Sequence, residues 1–501
     1  MDASRLIEKI QNRLVPSGSV IKQTVTSGIW EGGLNSLNRV IQLSKVAILA
    51  HLLPPKEFGL LGIGFLTLAV FESFSQLGIN AALIQQETEN IDMYLDTSWV
   101  LRVARGAFLV SIIFLVAPTV ASWFGEPRAT NVIRALGIGP LLLGLKNPGT
   151  VYFRKSLQFH RRFAQILSGT VGNFCITIAL GILLGNVWAL VAGSVAGNII
   201  SVVASYVLHD YRPGLKFDPD LARELIDFGK WVFGSSIAGF LQNQGDDVIV
   251  GALIGATPLA FYQMAYRFSN APATELSDVI NTVTFPSLSK VQDDLEKLQN
   301  GYFRTLRFST FLAFPSAAGI ALVAPAFVRV FLSSAWLPTV PLMQTLAIWG
   351  GLRALDSTNS SALYALSRPD LALKLKLLRV SIIALGIYFA AEQHGLLGVT
   401  LLLIVAALLM APIGIYVTLR QIEGSAYRCV RNIGHPIVGT LVMSGVVYWA
   451  MSSVSFQSST LELISLSVLG IFSYVLYSKA AVTLFDYRIA DDLTAVLGSF
   501  N

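Results

Sequence analysis

The sequence predicts an all-α integral membrane protein of about fourteen transmembrane helices, and three observations carry that prediction. The 501 residues are 53% hydrophobic and 13% charged, where a soluble domain carries about a quarter charged. Apolar runs recur along the whole chain, and a spanning helix needs about 20 mostly apolar residues. Lysine and arginine fall almost wholly in alternate connections between those runs, the bias that marks cytoplasmic loops.

In chain order, Met1 to Thr26 is polar and has no apolar core ahead of a small-residue cleavage site, so it is not expected to be a removed signal peptide. Leu6, Ile10 and Leu14 recur at helical spacing among Arg5, Glu8, Lys9 and Arg13. That pattern fits a short amphipathic helix on the cytoplasmic membrane surface, or a disordered tail. Spans follow at roughly 27–52, 58–85, 94–119, 129–150, 163–184, 187–208, 231–254, 258–284, 308–332, 339–364, 371–391, 396–419, 433–451 and 461–484. With the N-terminus inside, 26 of the 36 Lys and Arg residues lie in cytoplasmic segments, two (Lys56 and Arg128) lie outside, and eight lie within spans. A missed or invented span would scramble the bias beyond it, so the bias supports the count and puts both termini in the cytoplasm. It also accounts for the net charge of +6 without nucleic acid.

The connections are short, which excludes several function classes. No GxxxxGK[ST] loop is present to bind a nucleotide, and no outward loop is large enough for a catalytic domain, so an enzyme is not expected. Cys175 and Cys429 have no CxxC or Cys/His spacing around them, so no disulfide, metal or cofactor is expected. The basic segment Arg154, Lys155, His160, Arg161, Arg162 reads as a cytoplasmic turn beside anionic headgroups. Gly193 and Gly197 make a GxxxG step suited to close helix packing.

The chain echoes itself after about 200 residues, a spacing typical of transporters built from two related bundles. Trp30 opens an apolar run ending Leu52-Leu53-Pro54-Pro55-Lys56-Glu57-Phe58-Gly59; Trp231 opens one ending Leu253-Ile254-Gly255-Ala256-Thr257-Pro258 and continuing to Phe261-Tyr262. Four motifs then occur in order: Ala50-His51-Leu52-Leu53-Pro54-Pro55-Lys56-Glu57-Phe58-Gly59-Leu60; Leu77-Gly78-Ile79-Asn80-Ala81-Ala82-Leu83-Ile84-Gln85; Phe153-Arg154-Lys155-Ser156-Leu157-Gln158-Phe159; and Asp246 to Val250 with Gly255, Tyr262, Ala265, Tyr266, Arg267, Pro272 and Phe285-Pro286-Ser287-Leu288-Ser289. Together they resemble the polysaccharide-export flippases of the Wzx type, most closely the colanic-acid exporter branch, within the MOP superfamily that includes the MurJ lipid flippases and MATE exporters. His51 departs from the arginine usual in that family. The resemblance implies an N-lobe over 27–212, a C-lobe over 213–420, a central cavity, and two further helices with a cytoplasmic tail over 421–501. It also implies alternating access in the cytoplasmic (inner) membrane. The cargo implied is undecaprenyl-pyrophosphate-linked oligosaccharide, with a polysaccharide polymerase and export machinery as partners.

Cations inside the spans locate the candidate site. An arginine at the midplane costs about 2.5–3.5 kcal/mol by insertion scales, so each needs a wet cavity or a partner. Arg39, Arg267 and Arg353 lie near span centres, and Arg102 with Arg105 lies closer to the cytoplasmic surface. Guanidinium forks bind phosphate oxygens in bidentate fashion, so these five are the candidates to hold a lipid pyrophosphate. Salt bridges within the bundle compete with that role, Asp356 standing three residues after Arg353. Arg134 and Arg329 lie where they can snorkel outward. Asp246 and Asp247 are candidates for proton or sodium coupling, or for pairing with an arginine. A MATE-like exporter of small molecules is the alternative, though organic cations would shun so many arginines; a membrane glycosyltransferase or polymerase ranks lower, for want of aqueous loops.

Overall fold

Inside hydrocarbon no water is available to backbone N–H and C=O groups, so a spanning chain must satisfy them within helices or a closed barrel. The computed structural model is helical, with no strand among the described residues. Those are residues 20–76, 78–79, 83, 91–156, 158–270, 288 and 294–485. Residues 1–19 of the expected surface helix, the C-terminal tail beyond 485, Pro272, and most of the motif segments 77–85 and 285–289 lie outside them.

Helix α1 (Val20–Leu52) stops at Pro54-Pro55, and Pro55 opens α2 (Pro55–Ser73). Proline suits a first helical turn, where its missing N–H has no helix partner to lose. Next comes α3 (Ile91–Trp123). The span expected over 129–150 is two short helices, α4 (Ala129–Leu136) and α5 (Gly139–Gly144), followed by a 3-10 turn at Pro148–Val151 and α6 (Tyr152–Lys155). Helices α7 (Phe159–Leu184) and α8 (Val187–Leu208) make a hairpin. Gly185 turns it at φ +60°, and the Asn186 side chain caps α8 by accepting from Trp188 N at 3.0 Å. Helix α9 (Pro219–Leu253) is capped by Asp218, which accepts from Asp220 N at 2.9 Å, and is followed by α10 (Ala256–Ser269).

Asp294 caps α11 (Leu295–Phe331), accepting from Lys297 N at 3.1 Å. Helix α12 (Thr339–Ala365) precedes α13 (Pro369–Gln421), a 53-residue run broken at Gly395 (φ 58°, ψ −140°). Such angles are open to glycine alone, and the break yields two arms matching the spans expected at 371–391 and 396–419. Helices α14 (Ala426–Ser453) and α15 (Ser459–Phe485) finish the chain. Among the described residues, seven helices (α3, α7, α8, α11, α13, α14 and α15) are long and apolar enough to cross a membrane. The other expected spans overlap α1, α2, the α4–α5 pair, α9, α10 and α12, and the part of 258–284 beyond Asn270 lies outside the described residues. Leu115, Leu183 and Leu385 are each 77% exposed, as suits side chains whose solvent is lipid.

Packing divides the chain into two units, Met1–Ala260 and Phe261–Asn501. Helix α9 follows the connection at which the sequence places its lobe boundary, but it packs on α2 and α3 of the first unit. In that unit α7 and α8 are pressed together along the GxxxG step: a Cβ at Gly197 would stand 2.8 Å from Asn173 Cβ. Helices α3 and α5 are as close, since a Cβ at Gly106 would stand 2.6 Å from Leu141 Cα. In the second unit α11 packs against α12, α14 and α15, with Tyr302, Phe303 and Leu306 in a core shared with Leu355, Leu419 and Ile422.

Candidate functional site

In the first unit the structure gives each cation a distinct environment. Arg39 stands in mid-α1, partly buried. Lys45, two turns on, donates to Asn173 Oδ1 at 2.8 Å and fastens α1 to α7. Arg105 is occupied by the end of α2: Nε and Nη2 donate to Ser75 Oγ at 3.1 and 2.9 Å, and Nη2 reaches the Glu72 carbonyl at 3.2 Å. A cation there satisfies carbonyls at a helix C-terminus that have no partner within the helix. Among the described residues the Arg102 side chain makes only a long hydrogen bond, Nε to Ser98 O at 3.4 Å, and its enclosed Nη2 has no hydrogen-bond partner. Asp246 and Asp247 are both partly buried on α9, with Asp246 Oδ1 accepting from the Asp247 amide at 3.1 Å.

In the second unit Arg353 donates from Nη1 to the Tyr266 hydroxyl at 3.2 Å, and its guanidinium lies 4.9 Å from the centroid of the Trp349 ring, one turn back on α12. Tyr266 adjoins Arg267 on α10, so the structure brings the surroundings of these two candidates together. Arg267 is exposed, and makes no hydrogen bond or ion pair among the described residues. Asp356, expected as a partner for Arg353, instead forms an ion pair with Arg379 of α13. Arg379 falls near the start of the span expected at 371–391, and no spacing links it to a residue 23 positions away. Trp349 could have been found from its i,i+4 relation to Arg353, the step that stacks neighbours on a helix face.

The two cations set aside for snorkelling have partners. Arg134 lies 4.3 Å from the Phe114 ring centroid, and Arg329 pairs with Glu462 of α15 at 2.8 Å. An apolar cleft of about 250 Å³ lies among α11, α12 and α14, walled by Phe314, Ile348, Leu352, Ile437 and Leu441. Among the described residues no group of three His, Cys, Asp or Glu side chains could hold a metal ion.

Beside the basic turn, polar side chains bind the loop after α8. Asn147 donates to the His209 and Tyr211 carbonyls at 3.1 and 2.7 Å, and the Tyr211 hydroxyl donates to Asp96 at 2.7 Å. The His209 ring stacks on Tyr152 at 5.9 Å, and its Nδ1 accepts from Tyr211 N at 3.1 Å. Burial holds His209 below its usual value, only partly offset by Asp210. Burial and the Asp92 carboxylate push the Tyr152 hydroxyl up to about 12.

Helices of this length, lipid-facing side chains and cations held within the bundle define a multi-pass membrane protein of the MurJ and MATE fold. Solved structures share it: the lipid II flippase MurJ in an inward closed conformation superposes with a TM-score of 0.72 at 15% identity, covering 90% of this chain and 98% of that one. An inward-facing MATE family multidrug transporter of the MOP superfamily gives 0.60 at 16% identity, covering 78% and 96%. Residues 48–341, more than half the chain, match the family described as "Polysaccharide biosynthesis protein", and the chain belongs to that family. The lipopolysaccharide biosynthesis protein WzxC of Escherichia coli (strain K12) is 24% identical over 416 residues, 82% of this chain and 84% of the relative.

Proposed function

We propose that this protein is a flippase that moves an undecaprenyl-pyrophosphate-linked oligosaccharide across the cytoplasmic membrane by alternating access, for polysaccharide biosynthesis. The observation that carries the reading is Arg267: a guanidinium within an expected span, exposed and without a partner among the described residues, beside the tyrosine that holds Arg353. Such a cation is costly in hydrocarbon unless it meets water or an anion, and a pyrophosphate supplies the anion. On this reading Arg267 and Arg353 serve as headgroup contacts in the second unit, and Arg39 and Arg102 are candidates for the same role in the first. Arg105 contributes by fixing α3 on α2. The apolar cleft beside α14 suits part of an isoprenoid tail. Membership of a polysaccharide biosynthesis family and a fold shared with a protein named as a lipid II flippase support the cargo class.

Both termini lie in the cytoplasm on this reading, Asp246 and Asp247 couple transport to a proton or sodium gradient, and a polymerase with its export machinery takes the product. The two lobes that move are those read from the sequence, 27–212 and 213–420, except that α9 moves with the first through its contacts with α2 and α3. The MATE-like fold also raises export of small organic cations as a second reading, which the number of arginines within the spans disfavours. Purified protein in liposomes containing a fluorescent polyprenyl-pyrophosphate sugar tests the proposal. Protein-dependent loss of outer-leaflet label under a proton or sodium gradient is expected. No movement under any gradient, alongside measurable efflux of an organic cation, would reverse the ranking.

A further inference from the structure

Lys146 is absent from the sequence-based set of site residues, and its surroundings are unusual. It stands just beyond α5, partly buried, and its side chain makes no hydrogen bond or ion pair among the described residues. Arg102 lies within electrostatic reach of it. The two belong to tightly packed backbone: a Cβ at Gly144 would stand 2.6 Å from the Arg102 carbonyl oxygen. On the third side the Tyr206 hydroxyl of α8 donates to Leu145 O at 2.9 Å, next to Lys146, and also lies within reach of Arg102.

No described carboxylate acts on either cation. Asp96, six residues before Arg102 on α3, is taken by the Tyr211 hydroxyl and the Gly214 amide, both at 2.7 Å. Two partly buried like charges thus repel each other, and Arg102 Nη2 has its hydrogen-bonding capacity unused. An isolated protein would not be expected to hold this arrangement without an anion, because burying an uncompensated charge is unfavourable.

Depth indicates what kind of anion. Helix α3 has 33 residues and so runs about 50 Å, against a hydrocarbon core of about 30 Å. If centred, it leaves about 10 Å in the interface at each end, and Arg102, about 16 Å from its start, lies within side-chain reach of the lipid phosphates.

We propose that Arg102 and Lys146, flanked by Tyr206, form an anion site in the first unit that takes the phosphate or pyrophosphate headgroup of a membrane lipid. Two lipids carry that chemistry, a polyprenyl pyrophosphate and an anionic phospholipid, and the site is defined by what they share. The inference goes beyond transport, since a resident phospholipid alone would occupy it.

Binding is measured on the full chain in phosphatidylcholine nanodiscs, with farnesyl pyrophosphate as one probe and retained phosphatidylglycerol, read by native mass spectrometry, as the other. Arg102→Gln and Lys146→Gln should each weaken one or both by about tenfold or more, the scale of a lost charge-assisted contact. The exposed control Lys374→Gln should change neither. Weakened farnesyl pyrophosphate alone assigns the site to the pyrophosphate lipid, weakened phosphatidylglycerol alone assigns it to phospholipid, and either outcome supports the proposal. Unchanged binding of both overturns it. If the Gln variants do not fold, Arg102→Lys and Lys146→Arg carry the test: one of the two probes must protect the wild type and both variants against heat, and absence of protection overturns the site. Because binding is read without translocation, failure here leaves the flippase reading standing, and a failed transport assay leaves this site standing.

Discussion

Glu57→Ala removes a carboxylate whose two partners can be weighed separately. The side chain belongs to a residue 7% exposed, and it accepts from Arg128 Nη2 on Oε1 and from Val187 N on Oε2, both at 2.8 Å. It therefore ties the start of α2 to the turn after α3 and to the first residue of α8. The Arg128 side chain is 53% exposed, so that ion pair contributes roughly 0–1 kcal/mol. The Val187 contact is worth more, because Val187 is 3% exposed and a buried amide stripped of its acceptor costs about 1–3 kcal/mol. Glu57→Ala should thus cost about 2–3 kcal/mol, most of it through the Val187 amide. Arg128→Ala should cost less than about 1 kcal/mol. Glu57→Gln should fall between them, since its amide oxygen can still accept from Val187. Equilibrium denaturation of the purified protein in lipid–detergent micelles, followed by tryptophan fluorescence, gives the three values. An Arg128→Ala loss equal to that of Glu57→Ala, or a Gln variant no better than Ala, would refute the reasoning.

Other expectations rest on single contacts. Gly197→Leu should destabilise the α7–α8 hairpin by about 1–3 kcal/mol through overpacking against Asn173, read as a lower melting temperature, with Gly197→Ala closer to wild type. Arg379→Ala leaves Asp356 without its ion pair and should cost near the lower end of about 3–5 kcal/mol, because Arg353 stands one turn away; adding Asp356→Asn should recover part of the loss in the same denaturation assay. The pH response of the loop after α8 follows from His209, which burial keeps below its ordinary 6.5. The folded loop therefore favours the neutral ring: its stability is full above that value and is lost as pH falls below it. The protection factor of the Tyr211 amide, exchange corrected for its intrinsic pH dependence, should fall as pH drops below about 6.5 and protonation removes the Nδ1 acceptor, and His209→Gln should flatten the response. Arg267→Ala should cut translocation by about tenfold or more, the worth of one charge-assisted phosphate contact, while leaving the melting temperature unchanged.

The fold is legible in the sequence because membrane spans are set by a quantity that sequence displays directly, apolar length, and because charge bias independently checks their order. The fourteen expected spans accordingly find helices, even where only a break at Gly395 separates two of them. The grouping of helices is less legible. A repeat anchored on Trp30 and Trp231 begins a new lobe near α9, but grouping also depends on which surfaces fit, and α9 meets α2 where the Gly59 backbone closes on Ala256. No periodicity reports that contact. Cations in spans stand out because each is costly there, whereas their surroundings are tertiary: Ser75, which accepts from Arg105, lies 30 residues from it, and the like charge of Lys146 lies 44 from Arg102. Sequence thus nominates the arginines but cannot tell a strut from a binding group.

The structure supplies that distinction through the use each guanidinium makes of its five N–H donors. Arg105 places two donor nitrogens on Ser75 and the Glu72 carbonyl, so its removal should be felt first as a loosened α2–α3 contact. Arg353 gives one donor to Tyr266 and a face to Trp349, and its other N–H groups have no hydrogen-bond partner among the described residues. Arg102 holds one long contact and an idle Nη2, and Arg267 has no partner among the described residues. Stability loss should therefore fall, and transport loss rise, along the order Arg105, Arg353, Arg102, Arg267. Positive charge kept where hydrocarbon opposes it needs water or an anion at each of the last two positions. Measuring both quantities on the same four alanine variants decides the matter, for equal stability losses across the series would mean that all four arginines are scaffold.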